Sequence, residues 1–189
     1  MRRTTMLVVC TLALTLCVGS AFAAVGPDQL KVDYFSNANT AGAPDGTVRI
    51  INPGTAAGNV CASIFVFDSF QELTECCSCF VSPDGLRTLS INKDLTSNPL
   101  TGKTLATGAI KIVSTVPVNG GCPLPTTVNP EAALRAWVTH IQNSNFAVTE
   151  TASQDATLSQ GEVTRLARQC TAIALDGSGS GICSCGTGD

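Results

Sequence analysis

Charge and aromatic rings are both scarce in this 189-residue chain: Asp, Glu, Lys and Arg make up 13% of it, and Phe, Trp and Tyr 5%. No run of Lys and Arg is present and the formal net charge is −3. Without a basic cluster there is no electrostatic footprint for nucleic acid or an anionic lipid surface. Histidine occurs once, as His140. Triad chemistry around it needs a nucleophile and an orienting carboxylate brought in by the fold, which sequence alone does not display. The longest apolar run, Met6 to Val18, falls short of the roughly 20 residues that cross a bilayer.

That run has a different meaning. It follows the basic start Met1-Arg2-Arg3 and precedes Gly19-Ser20-Ala21-Phe22-Ala23, the order of a secretory signal with small residues at the cleavage positions. The sequence therefore predicts a signal peptide over 1–23 and one mature domain over 24–189, with no membrane span after cleavage. Leu16 before Cys17 is the wrong residue for a lipid attachment site. The mature chain keeps nine basic against fourteen acidic residues, a formal charge of −5. Its destination is outside the reducing cytosol: extracellular, periplasmic or at the cell surface.

Ten cysteines are present, and Cys10 and Cys17 leave with the leader. The remaining eight are Cys61, Cys76, Cys77, Cys79, Cys122, Cys170, Cys183 and Cys185. An even number in an oxidising compartment points to disulfides. A chain of this length can bury an adequate core without them, so the bridges suit a protein that must persist where unfolding ends in proteolysis.

Abundant Thr, Val, Gly and Pro, with short apolar runs between turn signals, predict a mainly β fold. The expected architecture is a single disulfide-stapled β-sandwich, Ig-like or jelly-roll-like, with one C-terminal helix. Strands are predicted over 31–35, 47–51, 60–67, 72–81, 86–91 and 109–116. Val60 to Phe67, apolar at nearly every position, is expected to lie centrally with both faces buried. Leu134 to Ile141 follows a helix-start signal, Asn129-Pro130-Glu131, yet Trp137, Val138, Thr139 and Ile141 favour a strand, which is preferred here. Ser159-Gln160-Gly161-Glu162 is a capping box opening a helix, with Val163, Leu166, Cys170 and Ile173 on one face.

If the chain from Phe67 to Gln71 turns tightly about Ser69, Cys61 lies across from Cys77, and a Cys61–Cys77 bridge is expected. Cys79 shares the face of Cys77, and Cys76 points the other way, towards a different partner. Cys183 and Cys185 end a flexible Gly-Ser strip and would staple it to the body. The competing chemistry is a four-thiolate metal site from Cys76, Cys79, Cys183 and Cys185. In an exported chain the bridges are the simpler expectation.

Other motifs are weaker. Thr101-Gly102-Lys103-Thr104 imitates the end of a phosphate loop but lacks its first glycine, and a surface turn is expected. Ser90-Ile91-Asn92-Lys93 matches an S-x-x-K nucleophile motif without its companions. Asp68, Glu72 and Glu75 are candidates for calcium or for a glycosidase pair, but alternation along a strand separates Glu72 from Glu75, and solvated positions are expected. His140 is expected as a half-exposed strand residue beside Trp137. No cofactor is called for.

The strings Val60-Cys61-Ala62, Phe65-Val66-Phe67-Asp68, Gln71-Glu72-Leu73-Thr74-Glu75-Cys76-Cys77-Ser78-Cys79, Leu95-Thr96-Ser97-Asn98-Pro99-Leu100-Thr101 and Trp137-Val138-Thr139-His140-Ile141-Gln142 resemble a group of uncharacterised secreted bacterial proteins. The ending Gly177-Ser178-Gly179-Ser180-Gly181-Ile182-Cys183-Ser184-Cys185 does too. The resemblance implies secretion and a shared disulfide framework, and brings no reaction with it. A non-enzymatic protein for binding, adhesion or envelope structure is the leading expectation, with an extracellular protein or glycan as partner. A small hydrolase using His140, or a cysteine metal-binding protein, are the alternatives.

Overall fold

The computed structural model describes residues 29–143 and 145–186; the expected leader, 1–23, lies outside them. Among the described residues nine strands run in chain order: β1 (Leu30–Phe35), β2 (Thr47–Ile51), β3 (Val60–Asp68), β4 (Leu73–Val81), β5 (Leu86–Ser90), β6 (Gly108–Thr115), β7 (Arg135–Ile141), β8 (Val148–Ala152) and β9 (Gln154–Asp155). One helix, α1 (Gln160–Asp176), follows. The strands form two antiparallel sheets, β4-β3-β6-β1-β9 and β5-β2-β7-β8. No helix among the described residues is long and apolar enough to cross a membrane.

Strand alternation explains the layering. On β3, Val60, Ala62, Ile64 and Val66 face Val48, Ile50, Leu89, Ala136 and Val138 of the other sheet, and this is the sandwich core. Phe65 and Phe67 face the other way, into a second cluster with Val163, Leu166, Cys170 and Ile173 of α1. The molecule is thus three layers, sheet on sheet with a helix behind, and β3 is buried on both faces as expected. The segment 134–141 is a strand, paired with β2 and β8. The Ser159 side chain caps α1 by accepting from the Glu162 amide. The Glu162 carboxylate completes no capping box; it binds Arg165 and Lys111 instead, at 2.7 and 2.6 Å.

The eight cysteines among the described residues are all bridged: Cys61–Cys122, Cys76–Cys170, Cys77–Cys183 and Cys79–Cys185, with Cα–Cα separations of 5.6, 5.9, 5.2 and 5.4 Å. The expected Cys61–Cys77 bridge does not form. Cys61 stands opposite Phe80, and Cys77 opposite Ile64. The turn is as tight as expected but centred one residue later, on Phe70, with the Asp68 amide bonded to the Glu72 carbonyl and Gln71 at a φ of 69°. The register shifts again between Val66 and Phe67, which leaves Thr74 as an extra residue on β4. An odd slip sends side chains to the opposite face. Cys61 therefore points away from the sandwich core while Cys77 points into it.

Candidate functional site

The two long sides of the sandwich are closed differently. On one side the tail after α1 lies along β4: the Cys76 amide donates to the Gly181 carbonyl, and the Cys183 amide to the Cys76 carbonyl. Cys76 crosses to α1, while Cys77 and Cys79 hold the tail. The tail also reaches the second sheet's side, since the Ser184 amide donates to the Asp94 carbonyl and Arg87 to the Cys185 carbonyl. The free edge of β4 is covered, which removes a template for unwanted strand pairing.

On the other side the chain itself crosses between sheets. β8 pairs with β7, and two residues later β9 pairs with β1. Under this crossing strand is a cleft of about 540 Å³, lined by Asp33 and Tyr34 of β1, His140 of β7, Thr149 and Thr151 of β8, and Gln154 of β9, with Val32, Ala109 and Ala152 between them. Its volume lies in the range typical of small-ligand pockets. Tyr34, 56% exposed, stacks its ring on His140 with centroids 4.4 Å apart.

His140 is not the half-exposed residue expected from its strand. It is buried, and its neighbour is Tyr34, because alternation places it on the same inward face as Ala136 and Val138. Its Nε2 lies 2.8 Å from Thr151 Oγ1 and 3.4 Å from Asp33 Oδ1. Its Nδ1 is buried with no hydrogen-bond partner. A hydroxyl and a carboxylate therefore do converge on the histidine, but on the same nitrogen. A catalytic triad places them on opposite nitrogens, so that the carboxylate orients the ring while the other nitrogen takes the nucleophile's proton.

The remaining sequence candidates scatter. Cys76 turns towards α1, so it cannot join Cys79, Cys183 and Cys185; the sulfurs that do cluster, all within 4.8 Å of one another, are those of Cys77, Cys79 and Cys185. Ser90 Oγ accepts from the Lys93 amide, capping one wide helical turn over Ile91–Leu95, which gives the S-x-x-K string a structural use. Thr101-Gly102-Lys103 is a surface turn, with the Gly102 amide bonded to the Pro99 carbonyl. Asp68 Oδ1 accepts from the Phe70 and Glu72 amides and so organises its hairpin.

Glu75 is not solvated. It is fully buried, accepts from the Asn98 amide at 3.0 Å through Oε1, and has no partner at Oε2. Burial pushes its pKa up to about 7, against a smaller opposing pull from the Asn98 amide. On the helix face the order of causes is reversed. The hydrogen bond from Arg165 leads in holding Glu162 at about 2, against the cost of its partial burial and with Lys111 adding to the pull.

Neither protein-family models nor curated proteins match this chain. Among solved structures, "Crystal Structure of Thermotoga maritima 1070" is similar at 12% identity with a TM-score of 0.42, over 71% of this chain and 99% of that one.

Proposed function

We propose that this is a non-enzymatic, extracytoplasmic binding protein whose β1/β7/β8/β9 cleft takes a small, neutral polyhydroxylated ligand such as a sugar unit of a glycan. The convergence of Tyr34, Asp33, Thr149, Thr151 and Gln154 around one cleft carries this reading. An exposed tyrosine ring offers a flat apolar platform for the C–H face of a pyranose. Two hydroxyls, an amide and a carboxylate at its rim can exchange hydrogen bonds with sugar hydroxyls. No Lys or Arg lines the cleft, so nothing there selects for an anion. Four disulfides suit work in an oxidising space, and the leader-like order of residues 1–23 supports export to one.

The chain has one His and one Tyr, so both report on the cleft without ambiguity. Saccharides titrated into the labelled protein are expected to shift the His140 imidazole and Tyr34 ring resonances saturably. Tyr34→Ala is expected to weaken binding about tenfold, the equivalent of roughly 1.4 kcal/mol. Unmoved resonances across mono- and oligosaccharides would remove the glycan assignment. Turnover of chromogenic esters or glycosides that is lost in His140→Ala would replace binding with hydrolysis.

A further inference from the structure

Cys77 and Cys79 lie two residues apart on one face of β4, and Cys183 and Cys185 lie two residues apart on the tail that runs beside it. The bridges Cys77–Cys183 and Cys79–Cys185 are therefore neighbours, and the Sγ atoms of Cys77, Cys79 and Cys185 all fall within 4.8 Å of one another. The fourth sulfur, that of Cys183, is bonded to one of these three. A zinc ion at about 2.3 Å from four thiolates holds its sulfurs ~3.8 Å apart. The oxidised protein thus already gathers three sulfurs near the spacing that such an ion requires, with the fourth tethered to Cys77 and needing to swing in once its bridge opens.

The surroundings permit the small adjustment. β4 is fixed in a sheet between β3 and the tail, whereas the tail carries Gly179, Gly181 and Gly186 at positive φ, and Cys185 is only partly buried. The strand side of the cluster is fixed in its sheet, and the tail side ends at the partly exposed Cys185, two residues from the chain segment beyond the described residues. The remaining bridges, Cys61–Cys122 and Cys76–Cys170, use neither cysteine pair and keep α1 and the 122 loop attached.

We propose that Cys77, Cys79, Cys183 and Cys185 form a latent four-thiolate site for a soft closed-shell cation, zinc(II) or copper(I), which opens when an external dithiol reduces the two adjacent bridges. Each bridge takes two electrons and two protons from one dithiol, which leaves as its own disulfide, and yields two thiols. Binding then releases the four thiol protons as the metal–sulfur bonds form. The set differs from the Cys76-containing group that sequence spacing suggests, because Cys76 faces the helix.

Cobalt(II) is the probe. The full-length secreted protein is reduced with a phosphine, which takes one water oxygen per bridge, and is titrated anaerobically with cobalt. One equivalent is expected to bind with the thiolate charge-transfer band and visible pattern of a tetrahedral four-sulfur site. Zinc is expected to displace it. The signature is expected to vanish in Cys79→Ser/Cys185→Ser, whose other three bridges remain available for folding, and to persist in Cys61→Ser/Cys122→Ser. Absence of the band from the reduced unmutated chain would overturn the proposal. So would an undiminished band in Cys79→Ser/Cys185→Ser, or its dependence on Cys61 and Cys122.

Discussion

The side of the sandwich closed by sulfur and the side closed by a crossing strand solve one problem with different chemistry. Along β4, three bridges leave a stretch of four residues, Cys76 to Cys79, and none depends on solvent or pH for its strength. Along β1 and β7 closure rests on hydrogen bonds and ion pairs: Lys31 with Asp155, His140 with Thr151, and Arg49 with Glu150. The first side holds buried sulfur, and the second holds the cleft. Rigidity has been placed opposite the candidate binding surface. That leaves the crossing strand, exposed at every residue of β8, as the part able to adjust to a ligand.

The sharpest way to break this contrast is to cut the sulfur. Cys76→Ala/Cys170→Ala opens a loop spanning 94 residues. It is expected to lower stability by about 4–5 kcal/mol in denaturant titrations, while the cleft's ligand response in the folded fraction is kept. An equal loss of binding would show that the two sides are not independent.

Glu75 gives the next largest effect, with a distinct pH signature. Below about 4.5 its carboxyl is neutral in both the folded and the unfolded chain. Between about 4.5 and 7 the folded chain keeps the proton and the unfolded chain does not, so stability falls as pH rises. Above about 7 the buried charge costs roughly 3 kcal/mol. Glu75→Gln is expected to flatten this slope and to raise stability at pH 8 by up to that amount, as read by urea unfolding at pH 5 and 8. Glu162 works in the opposite sense: its stabilisation is complete above about 4.5 and is lost as pH falls towards 2.

A smaller change probes how closely the tail fits. Gly181 sits at a φ of 81°, and a Cβ there would lie 2.7 Å from Ile173 Cγ2. Gly181→Ala is expected to cost about 2 kcal/mol from strain and contact together. On the other side Thr151→Val removes one hydrogen bond to His140 and is expected to cost about 1 kcal/mol in stability, as read by urea unfolding. A cost as large as that of the tail variant would erase the asymmetry.

The elements that the sequence announced are those with apolar repetition. β2, β3, β6 and β7 carry runs of Val, Ile and Phe whose burial matches their pattern, and α1 opens on the Ser159 cap as read. β8 and β9 escaped notice because Val148-Thr149-Glu150-Thr151-Ala152 and Gln154-Asp155 bury no residue and so show no period. Alternation placed Cys76 and Cys77 on opposite faces correctly. It failed for Cys61, because a turn centred on Phe70 and an extra Thr74 shift the register, and single-chain spacing does not record them. His140 was visible as the lone histidine. Its partners Asp33 and Tyr34 lie more than 100 residues away in sequence, and only sheet packing brings them to it.

The bridge pattern also orders the birth of the molecule. Cys76, Cys77 and Cys79 find their partners only at positions 170, 183 and 185, separated by 94, 106 and 106 residues. A chain made from its N-terminal end presents these three neighbouring thiols long before their correct mates are added. Wrong pairings, with one another or with Cys61, are the accessible ones in that interval. Oxidative refolding of the reduced chain is therefore expected to give a higher yield of native bridges with a disulfide isomerase present than without one.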